Sequence, residues 1–218
     1  GFDVIGVDIN PQPHYPFEFH QADALTFPLD GVNAVHASPP CQKYSIMRRG
    51  RWKDRKHPDL IPATRDRLIK SGLPYIIENV PGARHHLISP IMLCGTMFGL
   101  QTKHGAQLRR HRYFECSFPI GPTPACNHRQ DASVIGVYGG GQHPKRRRIP
   151  ATIGVYGNSG GSSKRDNLDF SCFTVKDRRD AMGIEWMTGK ELSQAIPPAY
   201  TKYIGEFLKA YINETILS

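Results

Sequence analysis

The sequence lacks a long apolar run, since no stretch approaches the roughly 18 residues that a membrane-spanning helix needs. Its first residues, GFDVIGVDIN, do not show the basic-then-apolar order of a secretory signal. Cysteine is also scarce, and the five cysteines are unevenly spaced, which argues against a disulfide framework and leaves at least one thiol free. We therefore expect a soluble, cytoplasmic protein.

Acidic residues are few as well, with 19 Asp and Glu against 28 Lys and Arg in 218 residues. Hydrophobic residues make up 39% of the chain, enough to bury a core and to exclude a disordered protein. The length fits one domain, or one domain with a small insertion.

The basic residues are concentrated in two runs, at positions 48–56 and 145–148. Such runs neutralise phosphates and favour a nucleic-acid groove, although two solvated, solubilising loops would give the same pattern. The candidate phosphate contacts are Arg48, Arg49, Arg51, Lys53, Lys145, Arg146, Arg147 and Arg148.

Short β-rich runs alternate with helical ones in the first half of the chain, which predicts an α/β sheet. Strands are expected at 3–7, 33–37 and 74–77, and a helix at 60–69 that stops near Gly72. Ligands of doubly wound sheets gather beyond the carboxyl ends of the strands, where Asp8, Cys41 and Glu78 are expected.

Residues 116–175 are rich in Gly, Pro, Ser and Arg, which predicts a small strand-and-loop insertion. The sequence IGVYG occurs there twice, at 135–139 and 153–157. The two copies predict either two strands that present loops to a groove or an ordinary hairpin with a charged tip.

The end of the chain returns to helix. Thr188 and Glu191 fit a capping box, and the apolar residues after Pro198 recur at helical spacing, as expected of a last helix with one face in the core.

Two residues have side chains suited to catalysis. Cys41 follows a proline-stiffened turn next to a basic run, and positive neighbours lower the pKa of a thiol and favour the nucleophilic thiolate. Glu78 follows an apolar strand, where burial raises the pKa of a carboxyl so that it can act as an acid. Each is weak alone, because buried structural cysteines and turn carboxylates are common.

Four motifs occur together in an order that resembles the cytosine carbon-5 DNA methyltransferase family. They are the Ser-Pro-Pro-Cys-Gln of residues 38–42, the Glu-Asn-Val of 78–80, the Arg-His-Arg of 110–112, and the Gln-Ala-Ile-Pro-Pro of 194–198. The resemblance implies a Rossmann-like, S-adenosylmethionine-dependent methyltransferase fold over residues 1–115 and 176–218, with a target-recognition region at 116–175.

The resemblance also implies a mechanism. The Cys41 thiolate would add to carbon 6 of a flipped cytosine while Glu78 donates a proton to ring nitrogen 3. Arg112 would hold the exocyclic oxygen, and Arg110 would position the base or a phosphate. Methylation would need S-adenosylmethionine and no metal, and we expect a monomer acting on double-stranded DNA.

Cofactor contacts follow by the same resemblance. Asp8 matches the residue that accepts hydrogen bonds from ribose hydroxyls, and Asp23 matches the residue that reads the adenine amino group. The other expected contacts are Ile9, Ala24 and Pro39. The family's first strand and Gly-rich turn have no counterpart, so we expect an N-terminally truncated member with weakened cofactor binding.

Three alternatives stay open. The same chemistry could act on RNA, and the chain could be a catalytically silent DNA-binding remnant. Restriction-modification and phage-borne roles both fit. A zinc site built from Cys116, Cys126, His128 and Cys172 is disfavoured, because these residues lack paired Cys-x-x-Cys spacing.

Overall fold

The computed structural model describes residues 1–44, 57–129, 134–136, 152–154 and 174–217. It is a mixed α/β structure with small sheets and few helices, so the predicted α/β class is confirmed at this level. The strands are β1 (Ile5–Asp8), β2 (Glu18–Gln21), β3 (Val35–Ala37), β4 (Tyr75–Asn79), β5 (Ile91–Leu93), β6 (Gln107–Leu108), β7 (Arg112–Cys116), β8 (Val134–Gly136) and β9 (Thr152–Gly154). The helices are α1 (Ile61–Ser71), α2 (Val175–Met182), α3 (Gly189–Gln194) and α4 (Pro198–Leu217), with 3-10 turns at Pro81–His86 and Gly95–Phe98.

The described strands form three sheets. β1 pairs with β2 in parallel. The largest sheet has the order β3-β4-β7-β5, in which β3 and β4 are parallel and β7 is antiparallel to both of its neighbours. The third sheet, β6-β8-β9, is parallel. The order of the largest sheet places β4, which carries Glu78, beside β7, which begins with Arg112.

Helix α1 packs on the largest sheet, and its ends are determined by the sequence. Pro62 lies in its first turn, and Gly72 ends it in the left-handed conformation, which glycine adopts without steric cost. The buried residues Ile61, Thr64 and Leu68 follow helical spacing, and Ile61 and Leu68 pack in one cluster with Tyr75 and Ile77 of β4. The predicted helix and its stop at Gly72 are confirmed.

The long helix α4 covers the other part of the core. Its residues Tyr200, Ile204 and Leu208 are buried at successive turns and pack with Ile76 of β4 and Phe114 of β7. The predicted core-facing stripe of the last helix is confirmed. No helix in the described part of the chain is long and apolar enough to cross a membrane.

Helix α3 begins with the predicted capping box: the Thr188 side chain accepts from the Glu191 amide, and the Glu191 carboxylate accepts from the Thr188 amide. Helix α2 begins with a second box made by Thr174 and Asp177. These local interactions satisfy amides that would otherwise lack partners at the start of each helix.

The two IGVYG copies overlap strands β8 and β9, which pair in parallel, Val134 with Thr152 and Gly136 with Gly154. The hairpin alternative is therefore wrong, because the strands of a hairpin are antiparallel. β8 also pairs with β6, which joins these strands to a segment that precedes the predicted insertion. The basic run at 145–148 and the candidate contacts Arg48, Arg49, Arg51 and Lys53 lie outside the described residues.

Candidate active site

The site is built where β3 ends beside β4. All five residues of β4 are buried, and its parallel register places Ala37 of β3 opposite Ile77. The chain that leaves β3 therefore runs past Glu78, the fourth residue of β4. The sequence predicted that Glu78 would follow the strand. In the structure it lies inside β4, because the strand continues to Asn79.

The loop that carries Cys41 is held by the end of β4. The side chain of Asn79, which is 1% exposed, donates a 2.9 Å hydrogen bond to the Pro39 carbonyl. The Tyr44 amide donates a 3.0 Å hydrogen bond to the Cys41 carbonyl and closes a turn. Gly82 lies against this turn so closely that a Cβ there would come within 2.0 Å of the Tyr44 carbonyl oxygen. These contacts fix Cys41 relative to Glu78.

Arg112 reaches Glu78 across the β4–β7 pair. Glu78 is opposite Phe114, and Arg112 is two residues away along β7, so its side chain lies on the same face of the sheet. Its Nε donates a 2.8 Å hydrogen bond to Glu78 Oε1, and the two side chains are 10% and 9% exposed. Ser38 also hydrogen-bonds the Glu78 side chain. The pair is thus a nearly water-free ion pair.

Burial raises the pKa of Glu78, even though Arg112, Arg110 and Ser38 act to lower it. This is the direction that the sequence predicts for a carboxyl that acts as an acid. Since the ion pair with Arg112 favours the charged form, the raised pKa shows that burial outweighs it.

Burial also raises the pKa of the Cys41 thiol, and the Glu78 charge adds to this effect. Arg112 and Arg110 oppose it, because a positive charge favours the thiolate. The lowered thiol pKa expected from the sequence is therefore wrong for this arrangement: burial outweighs the two arginines, and the basic run on which that expectation depended lies outside the described residues.

Arg110 is 1% exposed and is directed into the protein. One terminal nitrogen donates to the carbonyls of Ser193 and Ala195, at 3.0 and 2.7 Å, at the end of α3. The Tyr200 hydroxyl donates to the Arg110 carbonyl at 2.6 Å. A side chain so enclosed does not reach a phosphate, so in this structure Arg110 positions the start of β7.

The candidate cofactor residues lie at the carboxyl ends of β1 and β2. Asp8 ends β1, and the Ala22 amide, which follows β2, donates to the Asp8 carbonyl at 3.0 Å. The Asp8 carboxylate accepts from the Asn10 amide at 2.7 Å, and the Asp23 carboxylate accepts from the Leu25 amide at 2.8 Å. Ile9, directly after Asp8, is 69% exposed. Asp23 is exposed, whereas Asp8 is half-buried and its second carboxylate oxygen accepts from the Gln12 side chain at 3.2 Å. Two carboxylates beside an apolar side chain fit a ligand that has hydroxyl or amino groups on its rings.

Ala24 and Pro39, the remaining candidate cofactor contacts, differ in exposure: Ala24 is exposed after β2, whereas Pro39 is buried against Asn79. Sequence reasoning missed the positioning role of Tyr200 and the end of α3. Their only signal in the sequence is the proximity of both to the closing Pro-Pro motif, which gives no hint of a contact with Arg110.

Comparison with known proteins identified no relative of this chain. The chain matches no protein-family model, no curated protein and no solved structure.

Proposed function

We propose that the chain is a DNA cytosine carbon-5 methyltransferase that uses S-adenosylmethionine as methyl donor. The observation that carries this proposal is the juxtaposition of a thiol with a buried carboxylate–guanidinium pair. Cys41, Glu78 and Arg112 come from three separate segments, and the charges of Glu78 and Arg112 both act on the Cys41 thiol. A nucleophile, a proton donor and a cation in one place are the groups that addition to a pyrimidine ring requires.

The thiolate of Cys41 attacks carbon 6 of the cytosine and forms a carbon–sulfur bond. The electrons of the 5,6 double bond shift to between carbons 4 and 5, and those of the 3,4 double bond take the Glu78 proton at nitrogen 3. This leaves a neutral enamine with a nucleophilic carbon 5. S-adenosylmethionine supplies an electrophilic methyl group on a sulfonium. After the methyl group moves to carbon 5 and the cofactor leaves as a neutral thioether, the carbon-5 proton goes to a base and the carbon–sulfur bond to Cys41 breaks. Nitrogen 3 returns its proton to Glu78, so the Cys41 thiolate and the protonated Glu78 are both restored.

Electrostatics in the described site support this sequence of steps. In the reactive form Glu78 is protonated and Cys41 is ionised, so the guanidinium groups of Arg110 and Arg112 balance a single negative charge. They stabilise the thiolate and leave one positive charge for negative charge that develops on the ring. Because Glu78 and Arg112 are nearly removed from water, each interaction is stronger than it would be at a surface.

The residues around Asp8 would hold the cofactor. Carboxylates at positions 8 and 23 can accept hydrogen bonds from ribose hydroxyls and from the adenine amino group, and Ile9 offers an apolar surface to the ring. They follow two neighbouring parallel strands, where ligands of α/β proteins commonly bind.

The proposal is tested with duplex DNA that contains 5-fluorocytosine. Fluorine cannot leave as a proton, so the methylated adduct stays attached to Cys41 and survives denaturation. We expect a protein–DNA adduct that needs S-adenosylmethionine and is absent from Cys41→Ser.

The matched control is Cys116→Ser, which removes a thiol on β7 from the same chain. It should form the adduct as the parent does. No adduct with the parent chain would refute active methylation by this chain, and an adduct that persists in Cys41→Ser would refute the nucleophile. Adduct formation with single-stranded RNA in preference to DNA would favour the RNA enzyme instead.

A further inference from the structure

Outside the candidate active site, two cysteines and two histidines converge. The thiols of Cys94 and Cys126 and one ring nitrogen each of His111 and His128 all lie within 4.8 Å of one another. Cys94 is buried, His111 is half-buried, and Cys126 and His128 are exposed. We call these four residues the Cys2His2 cluster.

The fold brings the first two members together across a strand pair. In the antiparallel register of β5 and β7, Leu93 is opposite Arg112. Cys94 continues β5 in an extended conformation, so the same register continued by one residue places it opposite His111. This half of the cluster is thus set by the sheet.

The other two members are on the segment that follows β7, which β6 holds in place. Gln107 donates from Nε2 to the Asn127 carbonyl and accepts at Oε1 from the Arg129 amide, both at 3.1 Å. Cys126 and His128 flank Asn127. The His128 ring contacts the thiols of both Cys94 and Cys126. The cluster is therefore supported on one side by the β5–β7 strand pair and on the other by hydrogen bonds between the Gln107 side chain and the backbone.

The separations of the donor atoms fit a tetrahedral zinc ion. With Zn–S and Zn–N bonds of about 2.3 and 2.0–2.1 Å, tetrahedral angles place sulfur and nitrogen about 3.5 Å apart. His128 Nε2 is 3.3 Å from Cys94 Sγ and 3.0 Å from Cys126 Sγ, and His111 Nε2 is 3.6 Å from Cys126 Sγ. We propose that Cys94, His111, Cys126 and His128 bind Zn²⁺ as a structural site.

The donor set determines the kind of metal and its role. Two thiolates and two imidazoles suit Zn²⁺ rather than Mg²⁺ or Ca²⁺, which prefer oxygen ligands. Four protein ligands fill a tetrahedral shell and leave no position for water or substrate, as in structural zinc sites. Thr96, whose hydroxyl donates to Cys94 Sγ at 3.3 Å, supports the thiolate from outside the metal shell.

The ion would stabilise the start of β7, next to the proposed catalytic residues. His111 lies between Arg110 and Arg112, so a metal bond to its ring fixes the start of β7. It would also attach the Cys126–His128 segment to the end of β5. The zinc site goes beyond the proposed methyltransferase function and does not depend on it, because its ligands and its role are separate from Cys41 and Glu78.

The ligand set differs from the one considered on sequence grounds. Cys126 and His128 belong to both sets, but Cys116 is on β7 outside the cluster, and Cys172 lies outside the described residues. Cys94 and His111 replace them. The expectation that the protein uses no metal is therefore replaced by this proposal.

The test is metal analysis of the purified full chain by plasma mass spectrometry. We expect one zinc ion per chain. Exchange for Co²⁺ should give the visible bands of a tetrahedral centre and the near-ultraviolet charge transfer of cobalt–thiolate bonds. A chain with no zinc and no such spectrum, or one with a Cys94–Cys126 disulfide after purification under reducing conditions, would overturn the proposal.

Exposed ligands allow variants that do not disturb the core. Cys126→Ser and His128→Gln should each weaken Co²⁺ binding by about 100-fold or more, since loss of an outer-shell partner alone costs about 10–100-fold. Cys116→Ser is the control and should bind as the parent does. If Cys126→Ser matches this control, the assignment is wrong. None of these measurements depends on methyl transfer, so failure of either proposal leaves the other testable.

Discussion

Glu78 and Cys41 both have pKa values raised by burial, and the two shifts determine the pH dependence of the proposed reaction. The reactive form needs a protonated Glu78 and an ionised Cys41. This reactive form and the form with an ionised Glu78 and a neutral Cys41 carry the same number of protons, so pH does not change the ratio between them. The fraction of reactive enzyme is therefore constant between the two pKa values. It falls at pH values below the carboxyl pKa and above the thiol pKa.

Glu78→Gln should change the shape of this profile as well as its height. Glutamine retains a hydrogen-bond donor but cannot transfer a proton, so kcat/KM should fall by about 10²–10⁴-fold at neutral pH. Only the thiol then titrates. The remaining activity should rise tenfold per pH unit through the neutral range and level off above the thiol pKa, where the parent declines. Single-turnover rates against pH measure both profiles.

Asp66→Asn is the control for this experiment, because it neutralises an exposed carboxylate of α1 away from the site. It should keep the level profile of the parent. A Glu78→Gln profile parallel to that of the parent would show that another group supplies the proton.

The sequence could single out the residues of the proposed site better than it could predict their pKa values and contacts. Cys41, Glu78 and Arg112 each lie in a short motif whose residue types suggest their chemistry. The pKa of Cys41 depends on burial among segments that are distant in sequence, so local basic residues suggested the opposite direction. The enclosure of Arg110 by the carbonyls of Ser193 and Ala195 has the same long-range origin.

At the scale of elements, the helix ends that could be predicted from the sequence are those set by interactions within a few residues. Gly72 ends α1, and Thr188 with Glu191 begins α3, because each acts on backbone groups within a few residues. Strand partners are not local. The position of β7 between β4 and β5 brings together segments with no shared signal in the sequence. The IGVYG repeat indicates that β8 and β9 are related strands, but it does not specify that they pair in parallel.

The contact between the Pro81–His86 turn and the Cys41 loop makes Gly82 a sensitive position. Gly82 does not have a positive φ, so the backbone itself would accept alanine. The added Cβ, however, would meet the Tyr44 carbonyl at 2.0 Å and push the loop away from Glu78. Gly82→Ala should therefore reduce methyl transfer by about 100-fold, the effect of a displacement of roughly 1 Å, and cost about 1–3 kcal/mol of stability.

Gly189→Ala is the matched glycine control. Its Cβ would meet the nearest atom, Val175 Cγ2, at 3.5 Å, an ordinary contact. Adduct yield and thermal unfolding should be close to those of the parent. Parent-like adduct formation by Gly82→Ala would show that the position of the loop does not limit the reaction.

At the scale of the whole molecule, the net charge of +9 is the feature most directly connected with the proposed binding of DNA. The basic runs could be read from the sequence, whereas only Cys126 and His128 of the Cys2His2 cluster were among the ligands considered there. The full ligand set spans 34 residues, and the β5–β7 register and the contacts of Gln107 bring it together. A charged run is a local property, and a metal site is a property of the fold.

Replacement of Lys145, Arg146, Arg147 and Arg148 by alanine should weaken DNA binding and make it less sensitive to salt. Each phosphate contact contributes about 0.9 to the slope of the logarithm of the binding constant against that of the salt concentration, so the slope should fall by up to about 3.6. The control replaces Lys70, Lys190, Lys202 and Lys209, exposed lysines scattered over the helices, and removes the same charge. Fluorescence anisotropy with duplex DNA over a salt series distinguishes the two variants. If residues 145–148 contact phosphates, their replacement should lower the salt slope far more than replacement of the scattered lysines. Equal slopes for the two variants would mean that only net charge attracts DNA and that residues 145–148 form a solvated loop.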